Sequence, residues 1–142
     1  MIGETIQLSL APAFLLVATS GILNVVTGRL ARVVDRARKL IELHGATRGV
    51  EHARVVAELR LLDRRMVIIN WSVGLAVACG ITVCLMVAML FFVGAGHIDL
   101  GLPVSAAFIV AMTLLLGSLL LFLIEVRLAI RTIHVPMELL EK

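Results

Sequence analysis

The first apolar segment of the chain carries polar side chains that could do chemistry inside a membrane. Ser20, Asn24 and Thr27 follow one another at intervals of four and three residues, which places them on one face of a helix. Hydroxyl and amide groups on such a face either hydrogen-bond to neighbouring helices of the same subunit or line a wet pathway. None of the three is ionisable, and the spacing is compatible with both interpretations.

A second set of candidates runs toward the N-terminal end of the same segment. In an oligomer built around an axis, Glu4 would form a ring of carboxylates that attracts cations, and a hydrophobic level such as Leu15 could gate by dewetting. In a single chain, Glu4 only stabilises the positive end of the helix dipole. Together the two sets give the candidate pore-lining residues Glu4, Gln7, Ala11, Leu15, Ala18, Ser20, Asn24 and Thr27.

Sets of residues that carry out known enzymatic chemistry do not occur in this sequence. There is no HExxH, Walker loop, GxSxG, CxxC or pair of intramembrane carboxylates. Cys79 and Cys84 are five residues apart, about 140° around a helix, so they cannot share a metal or form a disulfide with each other. We therefore expect no enzymatic activity, no cofactor and no metal site.

The composition of the chain predicts an integral membrane protein. Of 142 residues, 61% are hydrophobic and 16% charged, and the mean hydropathy is +1.08. A helix needs about 20 residues to cross a hydrocarbon core. Three stretches are long enough, at about 6–27, 67–93 and 102–124. The sequence predicts one all-α membrane domain, residues 1–142, with three transmembrane helices.

The distribution of Lys and Arg predicts the orientation of the chain. Ten of the 13 basic residues lie between Arg29 and Arg65, and the other three lie within residues 127–142. The positive-inside rule places residues 28–66 and the tail 125–142 in the cytoplasm, with the N-terminus and the loop near His97 outside. Thirteen bases and eight acids give the cytoplasmic side a net charge of +5, which favours contact with anionic lipid headgroups.

Residues 28–66 read as a cytoplasmic helical hairpin. Apolar residues follow helical spacing on both arms, and residues 44–49, HGATRG, supply two glycines for the turn. Folding about residue 47 would place Arg36 opposite Glu58, in contacts that are mostly solvated and weak. Acids dilute the bases and no aromatics interleave with them, so we expect no binding of nucleic acid. The predicted charge network consists of Arg29, Arg32, Asp35, Arg36, Glu58, Asp63 and Arg64.

The second and third spans are plainer than the first. Small residues recur at every fourth position of the second span, a ridge that allows another helix to approach closely. The third span is rich in leucine and is predicted to face lipid, with Glu125 at its end either paired with Arg64 or Arg65 or simply solvated. The predicted packing ridge is Ser72, Ala76, Gly80, Cys84 and Ala88.

Two functions are compatible with this pattern. The first is a homo-oligomeric, cation-permeable channel whose first helix lines the pore, with the second helix behind it. The second is a non-conducting membrane interaction or scaffold protein whose basic hairpin binds a cytoplasmic partner or anionic lipid. Three crossings without an inverted repeat are a poor fit to a secondary transporter.

Four short segments resemble a known family. Residues 12–16 (PAFLL), 22–25 (ILNV), 29–38 (RLARVVDRAR) and 69–70 (IN) are similar to a domain-of-unknown-function family of small bacterial inner-membrane proteins. The resemblance extends over the whole chain, and RLARVVDRAR is its most specific part. It implies three crossings of a bacterial plasma membrane. It brings no catalytic residue or substrate to transfer.

Overall fold

Three long helices form the protein. In the computed structural model, which describes residues 2–96 and 101–132, α1 spans Ile2–His44, α2 spans Val50–Gly96 and α3 spans Gly101–Thr132. All three are long and apolar enough to cross a membrane. The prediction of an all-α protein with three candidate membrane spans is therefore confirmed.

The predicted membrane spans continue into the charged arms without a break. α1 has 43 residues and α2 has 47, which correspond to about 65 and 70 Å of helix, more than twice a hydrocarbon core of about 30 Å. The helices are joined by a tight turn in which the backbone N–H groups of Ala46 and Thr47 donate to the Leu43 carbonyl at 2.9 and 3.0 Å. Gly49 has a φ of 72°, a conformation that favours glycine. The turn lies where the sequence predicted it.

The predicted second and third spans, 67–93 and 102–124, lie within longer helices. α2 continues to Gly96, three residues beyond the predicted span, and α3 begins at Gly101. Pro103 lies in the first turn of α3, where its missing N–H has no helical partner to lose. The predicted outer loop at His97, and the tail beyond residue 132, lie outside the described residues.

α2 is the central helix, because α1 and α3 both pack against it. Its buried residues alternate at intervals of three and four, the repeat of helices that cross at a small angle. This face is Ile69, Ser72, Ala76, Cys79, Val83 and Met86.

Two apolar clusters hold the bundle together. One joins the charged arms of α1 and α2 and contains Val33, Ala37, Leu40, Val55 and Leu62 together with Val26 and Ile69. Burial of one such Val or Leu side chain from water stabilises by about 1.5–3 kcal/mol. The other cluster joins α2 to α3 within the apolar segments, where close packing replaces the hydrophobic effect, and consists of Cys79, Val83, Met86, Ala111 and Leu115.

α2 and α3 are also joined by a pair of serines. The Ser72 hydroxyl donates to the Ser118 carbonyl at 2.8 Å, and the Ser118 hydroxyl donates to the Ser72 carbonyl at 2.8 Å. Both side chains are fully buried. Beside them, a Cβ added at Gly117 would lie 3.2 Å from Cδ1 of Leu75. Small residues on α3 therefore permit the close contact.

Candidate functional site

The polar face of α1 is not covered by the other two helices. Ser20, Asn24 and Thr27 are all exposed. The Thr27 hydroxyl donates to the Leu23 carbonyl of its own helix at 2.7 Å. Within residues 2–96 and 101–132, the side chains of Ser20 and Asn24 form no hydrogen bond. These groups are thus free to meet water or another subunit.

A different polar residue of α1 contacts α2. Thr19 is 2% exposed, its hydroxyl donates to the Leu15 carbonyl at 2.8 Å, and its Oγ1 lies 3.9 Å from Cys79 Sγ. A repeat of seven residues in the sequence marks this face, and the prediction did not use it. Buried residues recur there every seven positions, at Thr19, Val26, Val33 and Leu40.

The two predicted pore-lining sets lie on different faces of α1. At about 100° per residue, Ala18 and Ser20 are separated by about 160° around one continuous helix. Glu4, Gln7, Ala11 and Ala18 are exposed, and Glu4 and Gln7 line an open pocket of about 430 Å³. Leu15 is half-buried and packs against the second apolar cluster. One axis therefore cannot be lined by both sets.

The predicted packing ridge of α2 is covered at its start and uncovered at its end within the described residues. Ser72 and Ala76 are buried, Gly80 is half-buried, and Cys84 and Ala88 are exposed. A four-residue step advances about 40° beyond a full turn, so the ridge turns away from the helix that covers its first members. A Cβ at Gly80 would meet no other atom within 4 Å.

The uncovered part of the ridge borders an apolar groove between α1 and α2. The groove has a volume of about 460 Å³. Ser20 lies between two of its lining residues along α1, four residues after Leu16 and three before Leu23. Polar face and groove therefore adjoin on one side of the chain. The lining residues are Leu16, Leu23, Ala76, Val77, Gly80, Ile81, Cys84 and Leu85.

A buried carboxylate joins all three helices where their apolar segments end. The side chain of Glu125 is fully buried. Its Oε2 accepts a hydrogen bond from Arg29 Nη1 at 3.1 Å, and its Oε1 accepts from Arg65 Nε at 3.1 Å and from Arg65 Nη2 at 2.7 Å. Of the predicted alternatives, pairing with Arg65 is correct and solvation is wrong, whereas Arg64 is exposed.

Arg29 is the partner of Glu125 that the sequence prediction missed. The two residues are 96 positions apart, and no local pattern connects them. The guanidinium carbon of Arg29 lies 5.4 Å from the centre of the Phe122 ring, a cation–π distance. The guanidinium therefore lies over an aromatic ring while its Nη1 donates to a carboxylate.

The remaining predicted charge network is on the surface of the two arms. Arg36 Nε donates to Glu58 Oε1 at 3.0 Å, the pairing expected from folding about residue 47. Arg32, Asp35 and Asp63 are exposed, and within the described part of the chain they form no salt bridge. Within residues 2–96 and 101–132, Arg32 therefore has no counter-ion.

Four arginines from α1 and α2 converge on one pocket. It has a volume of about 330 Å³ and is lined by Arg29, Arg32, Val33, Arg36, Leu62 and Arg65. Glu125 and Glu58 contact three of the arginines, so four positive and two negative charges leave a net charge of +2. Guanidinium groups donate several hydrogen bonds in a fixed plane, which suits phosphate and carboxylate groups.

The turn at the far end of the arms brings two histidines together. The ring centres of His44 and His52 are 4.3 Å apart, and the ring planes make an angle of 50°. In the described residues, no group of three or more His, Cys, Asp or Glu side chains could hold a metal ion.

Comparison with known proteins identifies a family. A family model described as "Protein of unknown function (DUF2721)" matches residues 9–135. The chain therefore belongs to this family, as the resemblance noted in its sequence had indicated. No match was found among curated proteins or among solved structures.

Proposed function

We propose that this member of the DUF2721 family is a homo-oligomeric protein of the bacterial inner membrane that forms a cation-permeable channel lined by α1. The charged arms lie in the cytoplasm, as the positive-inside rule requires. The proposal rests on one observation. The Ser20, Asn24 and Thr27 face of α1 lies within an apolar segment and is uncovered in the single chain.

Contact between this polar face and lipid tails is unfavourable in free energy. A polar group moved from water to an apolar medium without a hydrogen bond loses about 2–7 kcal/mol. The carboxamide of Asn24 has no partner in the described chain, so the native assembly supplies either a second subunit or water. A ring of copies around an axis supplies both, because each Asn24 then faces the axis and the groove beside it receives the neighbouring subunit.

The chemistry of this face suits a cation. Hydroxyl and amide oxygens can replace part of the hydration shell of a cation without a fixed charge. Asp35 lies eleven residues after Asn24, close to three helical turns, on the same side of α1, and it is exposed. A ring of Asp35 carboxylates would then stand at the cytoplasmic mouth. Glu4 and Gln7 lie toward another face and do not line this axis.

Ion flux into liposomes tests the channel and its lining together. We expect wild-type protein to conduct K⁺ or Na⁺, and Asn24→Leu to reduce the flux strongly. Gln7→Leu is the matched control, since it makes a similar change at an exposed position of the same helix but on a different face. Reduced flux in the control alone would show that the lining face is wrong. A monomer in native mass spectrometry, or no flux in wild type, would refute the channel.

A second function is supported by the arginines of the arms. A non-conducting scaffold would use them to bind an acidic segment of a cytoplasmic protein. Arg32 and Arg38 are exposed, whereas the neighbouring Val33 and Ala37 are buried. Arg32→Gln with Arg38→Gln therefore removes charge without disturbing the core. Loss of a co-purifying protein in this variant, together with silent bilayer recordings, would favour the scaffold. Unchanged co-purification would exclude it.

A further inference from the structure

The pocket lined by Arg29, Arg32, Arg36 and Arg65 has features of a ligand site as well as of a charged surface. It is concave, with a volume of about 330 Å³, and its arginines come from both α1 and α2. Surface arginines usually pair with a neighbouring acid or extend into solvent. Here the fully buried Glu125 holds the guanidinium groups of Arg29 and Arg65 in place, so the entropy cost of ordering these two side chains is largely met when the protein folds.

We propose that this pocket binds a phosphate group, and that its physiological source is the headgroup of an anionic membrane lipid. The net charge of +2 is not neutralised within the described residues, and Arg32 in particular has no ion pair there. A tetrahedral phosphate offers several acceptor oxygens to converging guanidinium groups and forms strong, charge-assisted hydrogen bonds with them.

The depth of the pocket argues for a lipid. All three helices change from apolar to charged at this level: Arg29 follows the apolar segment of α1, Arg65 precedes that of α2, and Glu125 follows that of α3. Phe122, beneath the Arg29 guanidinium, belongs to the apolar side. In a bilayer this boundary coincides with the headgroups, where basic pockets between helices bind lipid phosphates.

Glu125 has a positioning role in this site. It is fully buried and contacts Arg29 and Arg65, so it lies behind the two guanidinium groups rather than in the opening. A carboxylate in that place fixes the planes of the arginines and lowers their mutual repulsion. The anion then meets a site in which two of the four arginines are already ordered.

Lipid binding by native mass spectrometry provides the test. Protein is released from nanodiscs of phosphatidylcholine with added phosphatidylglycerol, and bound lipids are counted for wild type, Arg32→Gln and Arg38→Gln. Loss of one charge-assisted hydrogen bond should weaken phosphatidylglycerol binding about tenfold in Arg32→Gln. Arg38→Gln is the matched control, because Arg38 is an exposed arginine of the same helix that does not line the pocket. Arg32→Lys keeps the charge but not the planar fork, and it should lose less affinity.

A second experiment distinguishes a lipid headgroup from free phosphate as the source of the bound phosphate. Inorganic phosphate is titrated into the detergent-solubilised protein by calorimetry, beside short-chain phosphatidylglycerol and phosphatidylcholine. Binding of the anionic lipid alone supports the proposal in full. Equal binding of inorganic phosphate supports the site and overturns the lipid as its source. Equal effects of Arg32→Gln and Arg38→Gln overturn the pocket. None of these readouts depends on ion flux, so the channel can fail while this site stands.

Discussion

Replacement of Glu125 by Gln should be among the most damaging single changes in the charged part of the molecule. Glutamine keeps the shape of the side chain and one acceptor oxygen, but it removes the charge that faces Arg29 and Arg65. The fully buried carboxylate accepts three hydrogen bonds, at 2.7, 3.1 and 3.1 Å. The substitution would therefore leave two cations close together without their shared counter-ion.

The size of the effect follows from burial. Removal of one partner from a buried ion pair costs about 3–5 kcal/mol. The side chains of Arg29 and Arg65 are 31% and 18% exposed, so water screens part of the uncompensated charge. We therefore expect the lower end, about 3 kcal/mol, of the range for a buried pair. Arg65→Gln should cost more than Arg29→Gln, because Arg65 donates two of the three hydrogen bonds.

Unfolding in mixed micelles with increasing SDS, followed by circular dichroism, measures this difference. Glu58→Gln is the matched control, since it removes a carboxylate that pairs with Arg36 at the surface, where the side chains are 58% and 39% exposed. Exposed pairs contribute below about 1 kcal/mol. If Glu125→Gln were as mild as Glu58→Gln, the three-helix ion pair would not exist in the membrane. Additive effects of Glu125→Gln and Arg65→Gln would refute the direct contact.

Three further outcomes are expected. Ser72→Ala with Ser118→Ala should destabilise the protein by about 1 kcal/mol in the same unfolding assay, because membrane hydrogen bonds average about 0.6 kcal/mol each; an unchanged midpoint would contradict it. Gly117→Ala should stabilise by less than the roughly 1 kcal/mol that alanine gains over glycine in a helix, since the added methyl would lie 3.2 Å from Cδ1 of Leu75; the full gain would show that this leucine moves freely. Cys79→Leu should destabilise the protein in the same assay because Cys79 is fully buried, whereas Cys84→Leu, at an exposed position, should be close to neutral; equal effects would refute the packing of α2.

A large part of the fold was predictable because it depends on local patterns. The three apolar stretches, the arms with helical spacing and the glycine-containing turn each fall within a few tens of residues. The pairing of Arg36 with Glu58 followed from these, since folding a helical hairpin about a known turn fixes which residues are opposite. Helix ends were less predictable. The second span was expected to end near residue 93, whereas α2 continues to Gly96, because an apolar pattern does not mark the last residue of a helix.

The candidate sites were harder to predict than the helices, because they depend on how each helix is rotated about its own axis. A spacing of four residues suggested one packing ridge on α2, but the helix is covered along a face of alternating threes and fours, so Cys84 and Ala88 remain exposed. Likewise, composition made α1 the most polar span without showing that α2 and α3 leave the face of Ser20, Asn24 and Thr27 uncovered.

The sequence by itself determined that this is an all-α protein with three candidate membrane spans and a strongly basic segment between the first two. Hydrophobicity, helical period and charge are properties of contiguous residues, so they can be read directly from the sequence. Only the tertiary structure decided that Glu125 is buried between Arg29 and Arg65, and that four arginines share a pocket. Those contacts join residues up to 96 positions apart, and they arise from the packing of α1 and α3 against α2.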